Sequence, residues 1–272
     1  VLRKGLYMTL NVYNDFGTRP SVDLDIAVRK EDWDKTVSVL EDDGWVSALR
    51  ADPHRMSLSQ THAHAFVKGN FELDLHYDFV NCRLNKVTKV EMWSQLNQAD
   101  GFNCLSKSNE LYLTLIHGFE PNNVISPIRW VVDCVLLFRQ FIEADWSAMA
   151  NLLAEERKKS VFIMLDYLSV NEFISFPNSI QEQLDQLENM KFDLVERASL
   201  AKFSVNGFWG FRRLCATIYN SSSKSFKKSL IKGFDHYMYT WNKRSYLEVI
   251  LHAIMISSDK VLHPNRKRMD NA

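Results

Sequence analysis

Between Arg19 and Val28 the chain reads Arg-Pro-Ser-Val-Asp-Leu-Asp-Ile-Ala-Val. Val22, Leu24, Ile26 and Val28 alternate with Asp23, Asp25 and Ala27, the period-two pattern of a half-buried strand. That alternation sets both aspartates on one face, with Cα atoms roughly 6.5–7 Å apart. A face with two acids and no Lys or Thr reads either as two solvated aspartates or as a cradle for one divalent cation. A third acid on a neighbouring strand would decide for the cradle.

Such a strand lies downstream. Phe71, Leu73, Leu75, Tyr77 and Phe79 alternate with Glu72, Asp74, His76 and Asp78, after a turn at Lys68-Gly69-Asn70. With the preceding run from Met56 to Val67 it predicts a hairpin. Asp74 is mid-strand and suits a metal site, although Glu72 and Asp78 share its face. Glu31 to Asp43 predicts an amphipathic helix, with Trp33, Val37 and Leu40 on one side and Gly44 at its end. Upstream, Val1 to Arg3 reads as a strand end, Lys4-Gly5 as a turn, and Leu6 to Tyr13 as a helix.

From about Ser106 the pattern turns helical. The 3.6-residue period predicts helices over Asn109–Phe119, Pro127–Glu143, Trp146–Lys158, Val161–Phe173, Ile180–Met190, Asp193–Phe203 and Tyr246–Ile256. The expected fold class is therefore α/β (α+β): a small mixed-sheet domain over residues 1–104, then an α-helical domain over 105–272. With 272 residues and 46% hydrophobic content the chain can bury a sizeable core.

Lys+Arg and Asp+Glu balance at 33 each, so net charge singles out neither nucleic acid nor a membrane as partner. Cys82, Cys104, Cys134 and Cys215 form no C-x-x-C pair, which argues against a zinc or redox motif and favours a reducing, cytoplasmic setting. No apolar run reaches the ~20 residues of a membrane span, and no signal peptide opens the chain. The absence of an initiator Met at Val1 suggests numbering that starts within a longer protein. His62-x-His64 shares one strand face, but lacks a third ligand nearby in sequence. The aromatic run Phe208-Trp209-Gly210-Phe211 reads as core, and the lysines and arginines from Arg212 to Arg244 as a solvated basic face.

Lys4-Gly5, then Arg19-Pro20-x-x-Asp23-Leu24-Asp25, then Asp74-Leu75-His76 resembles a family of uncharacterised nucleotidyltransferases in the DNA polymerase beta-like superfamily. The resemblance continues more weakly through Leu111 to Leu137, where His117, Trp130 and Asp133 fall. It implies that Asp23, Asp25 and Asp74 hold Mg²⁺ (or Mn²⁺) and form the catalytic set, with Asp74 helping to deprotonate the attacking hydroxyl. Lys4, Gly5 and Arg19 would bind the phosphates of an NTP, ATP by preference. A nucleoside monophosphate would pass to an acceptor with release of pyrophosphate. The acceptor is expected to be a small molecule, sugar, peptide or protein rather than nucleic acid.

One departure bears on this. The superfamily's turn carries Gly-Ser, whose Ser bonds phosphate; Lys4-Gly5 stands there instead. That motivates an alternative, a non-catalytic nucleotide- or partner-binding module that keeps the fold. Nucleic-acid modification through the basic C-terminal region is a third reading. His76 reads either as part of the family's pattern or as a polar partner on the sheet, and His117, Trp130 and Asp133 either as cleft residues or as polar helix-packing contacts.

Overall fold

A computed structural model describes residues 1–192, apart from 14, 16, 20, 22, 49–51, 56–62, 80–83, 100 and 120–127. It also describes 231, 234 and 245–251. His62, most of the hairpin's first run, the helix expected at 193–203, the aromatic run at 208–211 and the basic residues from Arg212 to Arg244 lie outside the described residues. Only the first turns of the helix expected from Tyr246 fall within them.

The acidic strand forms as expected, as β1 (Asp23–Ala27). The hairpin consists of β3 (Ala63–Lys68) and β4 (Phe71–His76), with β2 (Val46–Ser47) beside β3. The sheet order is β1-β4-β3-β2, with β1 parallel to β4 and the other pairs antiparallel. A parallel pair needs a crossover, and α2 (Trp33–Asp42) lies in the connection from β1. Trp33 and Val37 pack with Phe66, Leu73 and Leu75, and Leu24, Ile26 and Leu40 flank them, so the apolar stripe of α2 covers one sheet face. The Asp23, Asp25 and Asp74 face is the opposite one, by strand alternation.

The N-terminal segment seals the outer edge of β1. Arg3 N–H donates to the Asp25 carbonyl at 3.1 Å, and Ala27 N–H to the Val1 carbonyl at 2.8 Å. Leu2 N–H reaches the Asn103 carbonyl at 2.8 Å, which ties in a second hairpin. That hairpin, β5 (Asn97–Ala99) with β6 (Phe102–Cys104), was not expected from the pattern. Ala99 pairs with Phe102, leaving a two-residue turn in which Gly101 has φ +81°. A helix α3 (Lys86–Ser94) was not expected either.

Two expectations shift. The Lys4-Gly5 turn is the start of α1 (Lys4–Met8), with Lys4 itself at φ +41° making the change of direction. The strand through Phe79 stops at His76. Beyond it the Asp78 carboxylate accepts the Phe79 N–H at 2.8 Å. Phe79 thereby leaves the α2 face and joins the other core, against Trp93.

That second core is built on α4 (Lys107–Gly118), whose N-cap Ser106 Oγ accepts the Asn109 N–H. Leu111, Tyr112, Leu113, Leu115 and Ile116 are all buried. A helix buried all round is a core helix. It packs against α5 (Ile128–Phe138), α6 (Glu143–Glu156) and α7 (Lys159–Val170), and α8 (Asn178–Leu187) closes on α6 and α7. The single long helix expected over Pro127–Glu143 ends at Phe138. Ile142 N–H is held by the Asp145 carboxylate at 3.1 Å, which starts α6 afresh. Gly118 admits the crossing of α4 and α5: a Cβ there would lie 2.8 Å from Trp130 Cγ. Leu2, Tyr7 and Ala27 belong to the same core as these helices, so the sheet and the helical part share one apolar interior.

Candidate active site

The parallel register sets Asp25 directly beside Asp74, Asp23 beside Glu72, and Ala27 beside His76. Neighbours in register on one sheet face bring their side chains together. Ala27 offers only a methyl group, which leaves the His76 imidazole room to reach diagonally back to Asp25. His76 Nε2 and Asp25 Oδ1 are 2.9 Å apart. One ligand atom from each of Asp25, Asp74 and His76 lies within 4.8 Å of the other two. Asp23 is exposed at the start of the strand and does not belong to this trio.

Lys4 adds a cation. Its Nζ donates to the same Asp25 Oδ1 at 3.1 Å, and its backbone N–H donates to Glu110 Oε1 at 3.0 Å. A left-handed backbone costs a non-glycine residue roughly 1–2 kcal/mol, and the Glu110 contact helps hold Lys4 there. Glu110 comes from α4 and is fully buried, and among the described residues its Oε2 has no hydrogen-bond partner. Arg3, equally buried, donates from Nη1 to the Phe79 carbonyl and lies over the Phe79 ring. Neither Glu110 nor Arg3 was singled out in the sequence. The available signal for Glu110 was one acid in a helix that is otherwise apolar on every side.

Gly5 suits its place because the side chains of Ser21 and Arg19 approach it so closely. A Cβ at Gly5 would stand 2.1 Å from Ser21 Oγ and 3.4 Å from Arg19 Nη1. Arg19 is drawn the other way by Asp133 of α5, with Nε to Oδ1 at 2.9 Å and Nη2 to Oδ2 at 2.8 Å. Tyr13 Oη donates to the same Asp133 Oδ1 at 2.8 Å. Asp133 is therefore a polar packing contact, and it takes the Nε and Nη2 of Arg19; among the described residues no hydrogen bond is seen from Nη1. Trp130 is a packing residue too, against Gly118 and Tyr167. His64 is buried on the α2 face, with Nε2 at 2.7 Å from Ser47 Oγ, and has no part in the acid cluster.

The electrostatics separate the two buried carboxylates. Burial works to raise the Asp25 carboxyl, but the His76 hydrogen bond and the Lys4 charge outweigh it and hold Asp25 well below the usual carboxylate range. Burial, with the Asp25 and Asp23 charges added, raises Asp74. Burial lowers His76 to about 4, so a neutral imidazole donates Nε2–H to Asp25. The site thus offers one firmly ionised carboxylate, one more basic carboxylate and one neutral imidazole. That donor set can hold a divalent cation and accept a proton beside it. An open pocket of about 480 Å³ lies beyond the end of β1, lined by Arg29, Lys35, Trp93 and Asn103 among others, and contains none of the three.

The chain matches a family described as uncharacterised nucleotidyltransferase over residues 1–168. It belongs to that family, and by that membership is a nucleotidyltransferase. The match takes in both acidic strands, the Lys4-Gly5 segment and helices α1 to α6 in full. No curated protein matches the chain.

Proposed function

We propose that the protein transfers a nucleoside monophosphate from an NTP, ATP by preference, to the hydroxyl of a small molecule, sugar, peptide or protein. The observation that carries this reading is the register pairing of Asp25 with Asp74, closed by His76 within 4.8 Å. The donor chemistry fits a divalent metal, which when bound would offset triphosphate charge and polarise the reacting phosphorus. Asp25, Asp74 and His76 would hold it, and Asp23 on the same face is the further carboxylate.

Lys4 and Gly5 sit beside the cluster where the phosphates would lie. The Lys4 ammonium would move from Asp25 to a phosphate oxygen as the nucleotide enters, and Arg19 Nη1 is the remaining guanidinium donor on that side. The acceptor oxygen would attack the α-phosphorus, its proton passing to the Asp74 carboxylate. The bond to the oxygen bridging the α- and β-phosphates would break, and pyrophosphate would leave. We also propose the division at residues 104 and 105, where β6 ends at Cys104 just ahead of α4. In the same reading the protein works in the cytoplasm; among the described residues no helix is long and apolar enough to cross a membrane.

ATP labelled at the α-phosphate and, separately, at the γ-phosphate tests the proposal across an acceptor panel. Transfer of the α-label alone, abolished by Asp25→Asn and Asp74→Asn, is the expected result. Transfer of the γ-label would refute nucleotidyl transfer. A second reading, a member that binds nucleotide without transferring it, is favoured by the Lys4–Asp25 ion pair. A cation already lies against the carboxylate there. ATP binding without label transfer to any acceptor would select that reading.

A further inference from the structure

We propose that Glu110 is a positioning residue for nucleotide binding. From helix α4 its buried carboxylate fixes the Lys4 backbone, so that the Lys4 ammonium passes between Asp25 and a nucleotide phosphate about a stationary pivot. The inference rests on the reading of Lys4 as a phosphate contact, and adds the residue that acts through it.

Successive amides fasten this segment. Arg3 N–H donates to the Asp25 carbonyl of β1 at 3.1 Å, and Lys4 N–H donates to Glu110 Oε1 at 3.0 Å. Lys4 is thereby tied between the strand that carries Asp25 and a helix residue 106 positions away. Its φ of +41° is one that glycine adopts freely and an L side chain adopts only at a cost. A lysine stands there instead, and the carboxylate holds its backbone in place of glycine's freedom. A hydrogen bond to an ionised acceptor is the stronger kind. The Lys4 side chain is 25% exposed, against 5% for Asp25, so the ammonium has room to turn while the backbone does not.

Packing alone does not call for an acid at this position. Glu110 is 0% exposed, in a helix whose Leu111, Leu113 and Leu115 are equally enclosed. Burial pushes its carboxyl up, and the Arg3 charge and the Lys4 N–H pull against that shift. A leucine would sit in the same surroundings without a buried charge to offset. What the carboxylate supplies and a leucine cannot is the acceptor for Lys4 N–H.

The size of the effect follows from the backbone. Without the contact, a left-handed penalty of the usual size leaves Lys4 in this conformation about one time in ten. Affinity for a ligand that needs the conformation then falls about tenfold.

The test measures ATP binding with Mg²⁺ by isothermal titration calorimetry on the whole chain. Glu110→Leu should bind ATP about tenfold more weakly. Glu110→Asp, one methylene short of Lys4 N–H, should lose as much although it keeps the charge. Glu110→Gln, which keeps an acceptor oxygen, should recover most of the affinity. In a Lys4→Gly background Glu110→Leu should add less than about twofold, because the residue it acts through is gone. An equal loss in both backgrounds, or Glu110→Asp that binds as wild type does, would overturn the proposal. If the Glu110 variants fail to fold, hydrogen exchange of the Lys4 amide in ¹⁵N-lysine wild type decides. Protection is expected, and a Lys4 amide that exchanges as fast as an exposed one refutes the hold.

The same titrations separate this claim from the one beneath it. A wild type that binds no ATP overturns the nucleotidyl-transfer reading, and with it the nucleotide role of Glu110. A wild type whose ATP affinity falls in Lys4→Gly but not in Glu110→Leu or Glu110→Asp overturns the Glu110 assignment alone.

Discussion

The Arg19–Asp133 pair joins the segment before β1 to helix α5, and its removal has a calculable effect. The two side chains are 9% and 6% exposed and meet through two hydrogen bonds at 2.9 and 2.8 Å. Asp133→Ala leaves the guanidinium buried without its counter-charge and takes the acceptor from Tyr13 Oη. Breaking a buried pair from one side costs about 3–5 kcal/mol. For a chain of this size that lowers Tm by roughly 10 °C. Replacing both partners, Arg19→Met with Asp133→Leu, removes the stranded charge and should recover most of the loss. Differential scanning calorimetry on the two single variants and the double variant measures this cycle. A Tm for Asp133→Ala within 1 °C of wild type, or a double variant less stable than either single one (about the sum of both losses), would refute the reasoning.

Other perturbations have equally definite outcomes. Gly5→Ala forces a Cβ within 2.1 Å of Ser21 Oγ and should cost about 1–3 kcal/mol in urea titration; adding Ser21→Gly removes the clash and should restore the midpoint. Leu115→Ala, at a fully buried position of α4, should cost about 2–5 kcal/mol by the same titration. Burial lowers His64 to about 4, so the folded state binds its proton less readily than the unfolded chain. The stability His64 contributes is fully present above its unfolded value of about 6.5 and is lost as pH falls through about 4. From pH 7 to pH 5 the wild type should lose about 2 kcal/mol that His64→Phe does not lose, read as the difference between their urea midpoints at the two pH values.

Much of the sheet was legible because alternation is local. Leu24 and Ile26 against Asp23 and Asp25, and Leu73 and Leu75 against Asp74 and His76, assign both faces without knowledge of the partner strand. The register was not legible. Whether Asp25 meets Glu72, Asp74 or neither depends on how β1 docks parallel to β4 across a long connection, and residues near each strand do not encode that. His76 could be placed on the acid face, but its reach to Asp25 depends on the small Ala27 opposite it.

Long-range partners were hidden for the same reason. Arg19 offered a phosphate contact or a local ion pair, and the answer came from Asp133 of α5. Glu110 lay within a helical run whose apolar residues dominate the pattern, so its hold on the Lys4 backbone was invisible. The end of β4 was misplaced because Phe79 continues the alternation; the strand stops at His76, and beyond it the Phe79 N–H is bonded to the Asp78 carboxylate and the ring lies in the other core. The β5–β6 hairpin carried a signal that was missed, Asp100-Gly101 between two short extended runs.

The most direct test of the account is anomalous diffraction from crystals grown with Mn²⁺ and an ATP analogue that cannot be cleaved between its α- and β-phosphates. The account predicts a Mn²⁺ peak about 2–2.6 Å from ligand atoms of both Asp25 and Asp74, with the triphosphate alongside Lys4 and Gly5. A triphosphate seated elsewhere on the molecule, or a Mn²⁺ peak that touches neither carboxylate, would contradict it.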